Sequence, residues 1–407
     1  MPDVTFVAPW FAETTLRFVD ALAGLDDVRL SLLSQDAPEK VPPGLRGRLH
    51  HALRLPDALD PGTLTKGVAH LRARGHGVHL LLGTLEELQV PLGQVRDALG
   101  IPGMGAEVGR NFRDKARMKD VLRAHDLPCA RHALVRSTEE ARAFAGETGF
   151  PLVAKPPAGS GARGTFRLGS EQDLSEWLAS MPPSPERPTL LEEFIVGAEH
   201  SFDSMVLGGE VVWHSINHYL PSALETLSQP WIQWCVLLPR EADDPAFAEI
   251  REAAPRALQA LGMVQGMSHM EWFRRPDGRI AISEVGARPP GARFMNLISW
   301  AHDRDFFRAW AEAVVHGRFT PAARPYAAGA AYLRGQGSGR VAGVRGLAEL
   351  AEGLGPLVVE ARIPEPGQPA SPTYEGEGYI IVRHPETEVV RDALRAIVSH
   401  VRVELTP

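Results

Sequence analysis

Residues 151–168 read PLVAKPPAGSGARGTFRL. Gly159, Gly161 and Gly164 satisfy the spacing G-x-G-x-x-G, and the stretch FPLVAK ahead of them reads as a strand. The spacing by itself is a weak signal. A dinucleotide site needs the loop to open a helix, whose N-terminal amides and dipole hold the pyrophosphate. Here TFRLG follows, β-branched and aromatic, so the loop returns as a strand. A glycine-rich hairpin between two strands suits a flap whose backbone N–H groups close over nucleotide phosphates. The loop also lies in mid-chain, whereas a Rossmann fingerprint opens its βαβ unit, and an NAD-dependent oxidoreductase is set aside on both grounds. The plain alternative is a turn that uses glycine only for its positive φ.

The neighbouring residues decide between these readings. Lys155 ends the strand that enters the loop and sets an ammonium beneath any phosphates. Further on, LLEEFIVGAEHS (190–201) brings Glu192, Glu193 and Glu199 around a strand end, where backbone groups suit a purine edge and a carboxylate suits ribose hydroxyls. HMEWF and ISEVGARPPG then carry Glu271 and Glu284 on two strands joined by the turn Pro276-Asp277-Gly278. Paired acids facing one another across a hairpin suit Mg²⁺ shared with nucleotide phosphates. Each acid alone reads as a solvated surface group; the ordered set does not.

The wider chain of 407 residues has 44% hydrophobic and 23% charged residues, the composition of globular proteins. That length implies two to four compact units. A net charge of -7 argues against a nucleic-acid partner. No apolar run is long enough to span a membrane, and MPDVTFVAPWF lacks the features of a signal peptide, so a cytoplasmic location is expected. Cys129 and Cys235 form neither a metal-ligand spacing nor a disulfide framework. Of the 43 basic residues only five are lysines, Lys40, Lys66, Lys115, Lys119 and Lys155. Drift towards arginine explains most of this bias, and lysines that survive it mark places where a compact ammonium is needed. Lys115 and Lys155 are the suspects.

Strands at 4–10, 28–33 and 79–83 alternate with helical stretches, the pattern of a small parallel sheet. RDKARMKDVLRAHDLP reads as a helix from Arg113, and STEEARAFAGETG as a helix opened by a capping-box variant. MPPSPERP (181–188) reads as a linker or a tight crossing between lobes. A β-meander, the hairpin and a long helix at about 302–316 follow, and the last 80 or so residues form a smaller α/β end piece.

The order lysine, strand lysine with glycine flap, E-E-F-I-x-G-x-E, and two hairpin acids followed by arginine resembles the ATP-grasp superfamily. More narrowly, it resembles the carboxylate–amine ligases related to carbamoyl-phosphate synthetase and the bacterial L-amino-acid ligases. The resemblance runs over nearly the full chain and is most specific in the clamp. It implies an α/β and α+β chain with the ATP-grasp fold: an N-terminal open α/β (pre-ATP-grasp) domain over 1–110, a two-lobed ATP clamp and a C-terminal α/β lid over 321–407. The clamp divides into a small lobe with the flap at 111–188 and a large lobe at 189–320.

The resemblance assigns roles residue by residue. Lys115 and Lys155 would contact ATP phosphates beneath the flap of Gly159, Ser160, Gly161 and Gly164. Glu192, with the backbone at Glu193 and Ile195, would meet the adenine, and Glu199 the ribose. Glu271 and Glu284 would hold Mg²⁺, with Mn²⁺ as a substitute, and Arg288 would act with Lys155 in catalysis by stabilising the transferring phosphoryl group. The family commonly writes E-x-N-x-R, and Gly286 stands here where that asparagine would add a metal ligand.

The implied reaction phosphorylates a carboxylate, of an amino acid in the amino-acid-ligase branch, and couples the acyl phosphate to an amine with release of ADP and phosphate. Both partners are small molecules, with neither nucleic acid nor membrane involved, and relatives are often homodimers. For the substrates, the aromatic and imidazole residues of segment 213–234, Trp213, His214, His218, Tyr219, Trp231 and Trp234, are a candidate lining, with His214, His218 and Trp231 singled out, and Arg293 is a candidate grip for a carboxylate. Competing readings are a non-catalytic ATP-binding module and a purine-pathway or carboxylating ATP-grasp enzyme.

Overall fold

The computed structural model describes residues 1–159, 164–229, 232–321 and 323–406. Four strands, β1 (Asp3–Val7), β2 (Arg29–Ser34), β3 (His51–Arg54) and β4 (Leu80–Leu82), form a parallel sheet in the order β3-β2-β1-β4. β1 is buried along its whole length, as a strand covered on both faces must be.

A second sheet follows. It contains β5 (His132–Val135), β6 (Leu152–Lys155), β7 (Phe166–Leu168) and β8 (Thr189–Glu193), antiparallel in the order β5-β8-β6-β7. The glycine loop connects β6 to β7 as a hairpin, with Leu152 opposite Leu168 and Ala154 opposite Phe166. The sequence reading of this turn holds. The helix Thr138–Thr148 opens on a reciprocal cap: Ser137 Oγ accepts from Glu140 N–H at 3.2 Å, and the Glu140 carboxylate accepts from Arg136 N–H at 2.6 Å. The proline-rich stretch 181–188 leads into β8, which pairs with β5 and β6. It is a loop within this unit and not a crossing between lobes. The chain leaves the small sheet only after Glu193, five residues beyond the boundary expected at 188.

The third sheet is the largest. β9 (Ala198–Leu207), β10 (Glu210–Leu220), β11 (Trp234–Leu238), β12 (Gly266–Arg274), β13 (Ile280–Gly286) and β14 (Ala327–Leu333) come from the middle of the chain. After β15 (Arg340–Arg345), β16 (Val358–Arg362) and β17 (Gly378–His384) complete it in the order β13-β12-β9-β10-β11-β14-β17-β16. The C-terminal residues therefore extend the large sheet; only β15 and β18 (Arg402–Thr406) pair apart from it. Helix Ala248–Leu261 packs with one face of this sheet through Phe202, Ile216, Met270 and Trp272. Helices Phe294–His302 and Phe306–His316 pack on the other face with Met205, Trp213 and Tyr219. The single helix expected at 302–316 starts later because Asp305 caps a new one, accepting from the N–H groups of Phe307 and Arg308. Among the described residues no helix is long and apolar enough to cross a membrane.

Candidate active site

The small and large sheets face each other across a cleft of about 190 Å³. Its floor is the open face of β12 and β9, and strand periodicity determines what it presents. His269, Glu271 and Phe273 alternate along β12 and line the cleft, while Met270 and Trp272 between them enter the core behind. In register on β13, Glu284 is the cross-strand partner of Glu271, and Gly286 of His269. The two hairpin acids lie side by side, as the turn at Pro276–Gly278 and the alternation require.

The roof begins at the helix Lys115–Ala124. Asp114 caps it, accepting from the N–H groups of Ala116 and Arg117, so Lys115 occupies its first position and Lys119 sits one turn later on the same face. Lys115 Nζ lies 2.9 Å from Glu284 Oε1 and donates to Gly159 O at 2.8 Å. One ammonium thus ties the hairpin acid to the root of the glycine loop. Arg113 adds a donor to Gly159 O at 3.2 Å. Gly164 at the other end of the loop has φ +69°, a conformation that favours glycine. Ser160 and Gly161 lie outside the described residues.

Beneath the loop, Lys155 Nζ is 3.0 Å from Glu192 Oε2, and Lys119 Nζ is 3.3 Å from Glu192 Oε1. Burial opposes ionisation of Lys155, but Glu192, then Glu284 and Glu271, hold its pKa above the ordinary lysine value. Burial pushes the Glu192 carboxyl up, yet Lys119 and Lys155 win and hold it below its usual range. Lys119, fully buried, is depressed by burial despite Glu192 and donates to Ser283 O at 2.8 Å. Glu192 therefore spends both oxygens on lysines, and its expected contact with an adenine gives way to the positioning of Lys155.

Neighbouring Glu193 is held between Arg131 at 3.0 Å and Arg275 at 2.6 Å, and its N–H donates to Arg131 O at 2.9 Å. Ile195 and Glu199 line the cleft just beyond. Glu199 accepts from Ala223 N–H at 2.9 Å; burial and the nearby Glu271 push its pKa up to about 8.

Three groups that sequence reasoning missed complete the site. Glu86, near the end of the N-terminal sheet, binds Arg113 with one oxygen at 2.9 Å and Arg288 with the other at 3.0 Å. Burial works against the Arg288 charge, and Glu86 more than restores it. Asp203, fully buried on β9, meets His269 Nδ1 at 2.5 Å. Burial would neutralise the His269 imidazole, but Asp203, with Glu271 at 3.6 Å from Nε2, raises its pKa to about 9. Lys119 is the third, and it had a signal in the sequence as one of the five surviving lysines.

Three substrate expectations are corrected. His214 and His218 alternate with Tyr219 on β10 and face the opposite side of the sheet from the cleft. His214 stacks on Phe202 at 5.0 Å, and His218 meets His200 edge-on at 4.7 Å. The side chain on that strand that lines the cleft is Tyr219. Arg293 gives both terminal nitrogens to Glu13 at 2.9 and 2.8 Å and lies over the Tyr379 ring, a tie between the N- and C-terminal parts of the chain. Trp231 lies outside the described residues.

Glu271 and Glu284 offer only oxygen, the donor that hard divalent cations take, and the ammonium beside Glu284 marks a place that accepts positive charge. Two carboxylates completed by phosphate oxygens and water are how Mg²⁺ is usually held, so the residues fit that ion.

Residues 120–297 match the model of the ATP-grasp domain family. The L-arginine-specific L-amino acid ligase of Bacillus subtilis is 28% identical over 223 residues, covering 54% of this chain and 53% of that protein. A carbamoyl phosphate synthase large chain from Methanothermobacter thermautotrophicus is 25% identical over 251 residues, covering 60% of this chain and 23% of that one. The chain thus matches about half the length, or less, of these curated relatives. Among solved structures, an L-amino acid ligase from Bacillus licheniformis aligns over 100% of this chain and 99% of its own with a TM-score of 0.76 at 19% identity. The N5-carboxyaminoimidazole ribonucleotide synthetase from Thermotoga maritima aligns over 100% of both chains with a TM-score of 0.70 at 16% identity.

Proposed function

Because this chain carries an ATP-grasp domain within an ATP-grasp fold, we propose that it is an ADP-forming carboxylate–amine ligase, activating a carboxylate, that of an amino acid, as an acyl phosphate and passing the acyl group to an amine. The observation that carries this reading is the register of Glu271 with Glu284, with Lys115 on one side and Arg288 in the same cleft.

A carboxylate does not react with an amine at neutral pH, because its leaving group would be oxide. Attack of a carboxylate oxygen on the γ-phosphorus of ATP expels ADP and leaves an acyl phosphate. The amine nitrogen then attacks the acyl carbon, phosphate departs, and the proton lost by nitrogen passes to solvent or a neighbouring base. The protein's part is position and charge.

Lys115 and Lys155 hold the phosphates, with the loop of Gly159 to Gly164 over them. Glu192 fixes Lys155 so that its ammonium stays charged under the loop. The backbone at Glu193 and Ile195 faces the adenine. Glu199, beyond Ile195 in the cleft, accepts from a ribose hydroxyl. Arg288, aligned by Glu86, stabilises charge on the transferring group. Glu271 and Glu284 would hold Mg²⁺ or Mn²⁺, which would supply the remaining positive charge on the phosphates. A closed, dry cleft protects the acyl phosphate from water.

The test uses hydroxylamine as a surrogate amine with ATP, Mg²⁺ and pools of amino and other carboxylic acids. A coloured hydroxamate supports the ligase reading, and deconvoluting the pool names the acyl donor. ATP binding by calorimetry without hydroxamate from any pool favours a non-catalytic nucleotide-binding module.

A further inference from the structure

Beyond the phosphate region the cleft ends in a chamber of aromatic rings. Tyr219 on β10, Trp234 on β11, Phe294 at the head of its helix and Tyr374 in the loop between β16 and β17 all line it. Tyr219 meets Trp234 edge-on at 5.4 Å and Phe294 at 5.8 Å, and Tyr374 meets Trp234 edge-on at 4.6 Å. Trp234 is fixed from behind by Tyr332, stacked at 4.7 Å.

The chamber has a defined place relative to the chemistry. Phe273, Glu271 and His269 follow one another at alternate positions on the cleft side of β12, so the backbone at His269 lies roughly 7 Å beyond that at Glu271, with the two side chains 3.6 Å apart. His269 packs edge-on against Phe294 at 5.5 Å, and Tyr219 Oη lies 3.3 Å from its Nε2. The chamber is thus one side-chain length from the proposed metal acids, on the side away from Phe273. A carboxylate placed to attack a γ-phosphate near Glu271 and Arg288 carries its own substituent into these rings.

We propose that this chamber seats the apolar side chain of an α-amino acid whose carboxylate is the phosphoryl acceptor. The inference rests on the ligase reading above and adds the substrate class to it. Four rings give dispersion contact and edge-to-face partners to a leucine, methionine or phenylalanine side chain. A charged side chain would shed its water against these rings, and the imidazole beside them, His269, is already paired to Asp203 and Glu271. Glycine would leave the rings unfilled.

The experiment measures ADP release and hydroxamate formation with a panel of L-amino acids, and with carboxylic acids lacking an amino group, for the wild type, Tyr374→Ala and Tyr374→Phe. Tyr374 sits in a partly exposed loop, so its truncation leaves the fold intact. The proposal expects kcat/KM for leucine, methionine or phenylalanine at least tenfold above that for glycine, aspartate and lysine. It also expects Tyr374→Ala to raise KM for the apolar substrates at least tenfold without changing KM for ATP, and Tyr374→Phe to restore it. Equal turnover across side chains, a preference for charged ones, or an unchanged KM in Tyr374→Ala overturns the proposal and leaves the ligase reading standing. Hydroxamate only from acids that are not amino acids overturns the proposal together with the amino-acid part of that reading, and leaves the carboxylate-activating chemistry standing. ATP binding with no hydroxamate and no acid-dependent ADP from any acid overturns both.

Discussion

Lys155 and Glu192 form a buried ion pair at 3.0 Å, and the second oxygen of the same carboxylate neutralises Lys119. One acid therefore holds two lysines, of which only Lys155 lines the cleft. Removing the shared partner takes the nearest counter-charge from two buried ammoniums, leaving Lys119 with Ser283 O and Lys155 with the more distant Glu284 and Glu271. Glu192→Gln is expected to lower unfolding free energy by about 3–5 kcal/mol, read from urea denaturation. Lys155→Met is expected to weaken ATP binding more than tenfold, whereas Lys119→Met lowers stability with ATP affinity kept within about twofold, by calorimetry.

Glu284 takes Lys115 on one oxygen and shares its cross-strand position with Glu271. Glu284→Gln keeps the shape and removes the charge. Hydroxamate formation is expected to fall more than a hundredfold with the thermal midpoint little changed. Full activity in this variant would move the metal away from the hairpin.

Gly286 occupies the position where the family commonly has asparagine. A Cβ built there meets Arg288 Cγ at 3.5 Å and His269 O at 3.8 Å, ordinary contacts, so the site has room for a side chain. Gly286→Asn adds an oxygen donor beside the two acids. The Mg²⁺ concentration for half-maximal activity is expected to fall severalfold, read from a metal titration. An unchanged titration would place the ion out of reach of residue 286.

His200 and His218 lie in edge-on contact behind the sheet, and burial pushes their pKa values down to about 3 and about 4 from an ordinary 6.5. A base depressed on folding contributes stability that is complete above its unfolded pKa and is lost as pH falls towards the folded one. The protein is expected to lose stability progressively from pH 6.5 down to about 4, by up to about 1.4 kcal/mol per pH unit for each histidine. His200→Gln with His218→Gln should flatten that limb of the denaturation profile.

Legibility from sequence followed the range of the interactions. Glu271 and Glu284 are set by a local turn and a two-residue period, which makes them facing acids, and the register agrees. The five residues after the glycine loop, TFRLG, mark it as a hairpin, and β6 and β7 pair accordingly. Local pattern gives a strand's alternation but not which face is inward, so it does not separate His214 and His218, which face away, from Tyr219, which lines the cleft. Glu86 is 202 positions from Arg288, and nothing near either residue announces the pair. Asp203 meets His269 only through the antiparallel register of β9 and β12. The prolines at 181–188 mark a loop correctly, but they carry no information about which sheet receives the next strand.

The most direct measurement follows oxygen. Amino acids labelled with ¹⁸O in the carboxylate are incubated with ATP, Mg²⁺ and an amine, and the released phosphate is analysed by mass. An acyl phosphate intermediate transfers one carboxylate oxygen to phosphorus, so the account predicts one ¹⁸O per phosphate formed. Phosphate released without label while ADP accumulates would contradict it, because the carboxylate would then never have attacked the γ-phosphoryl group.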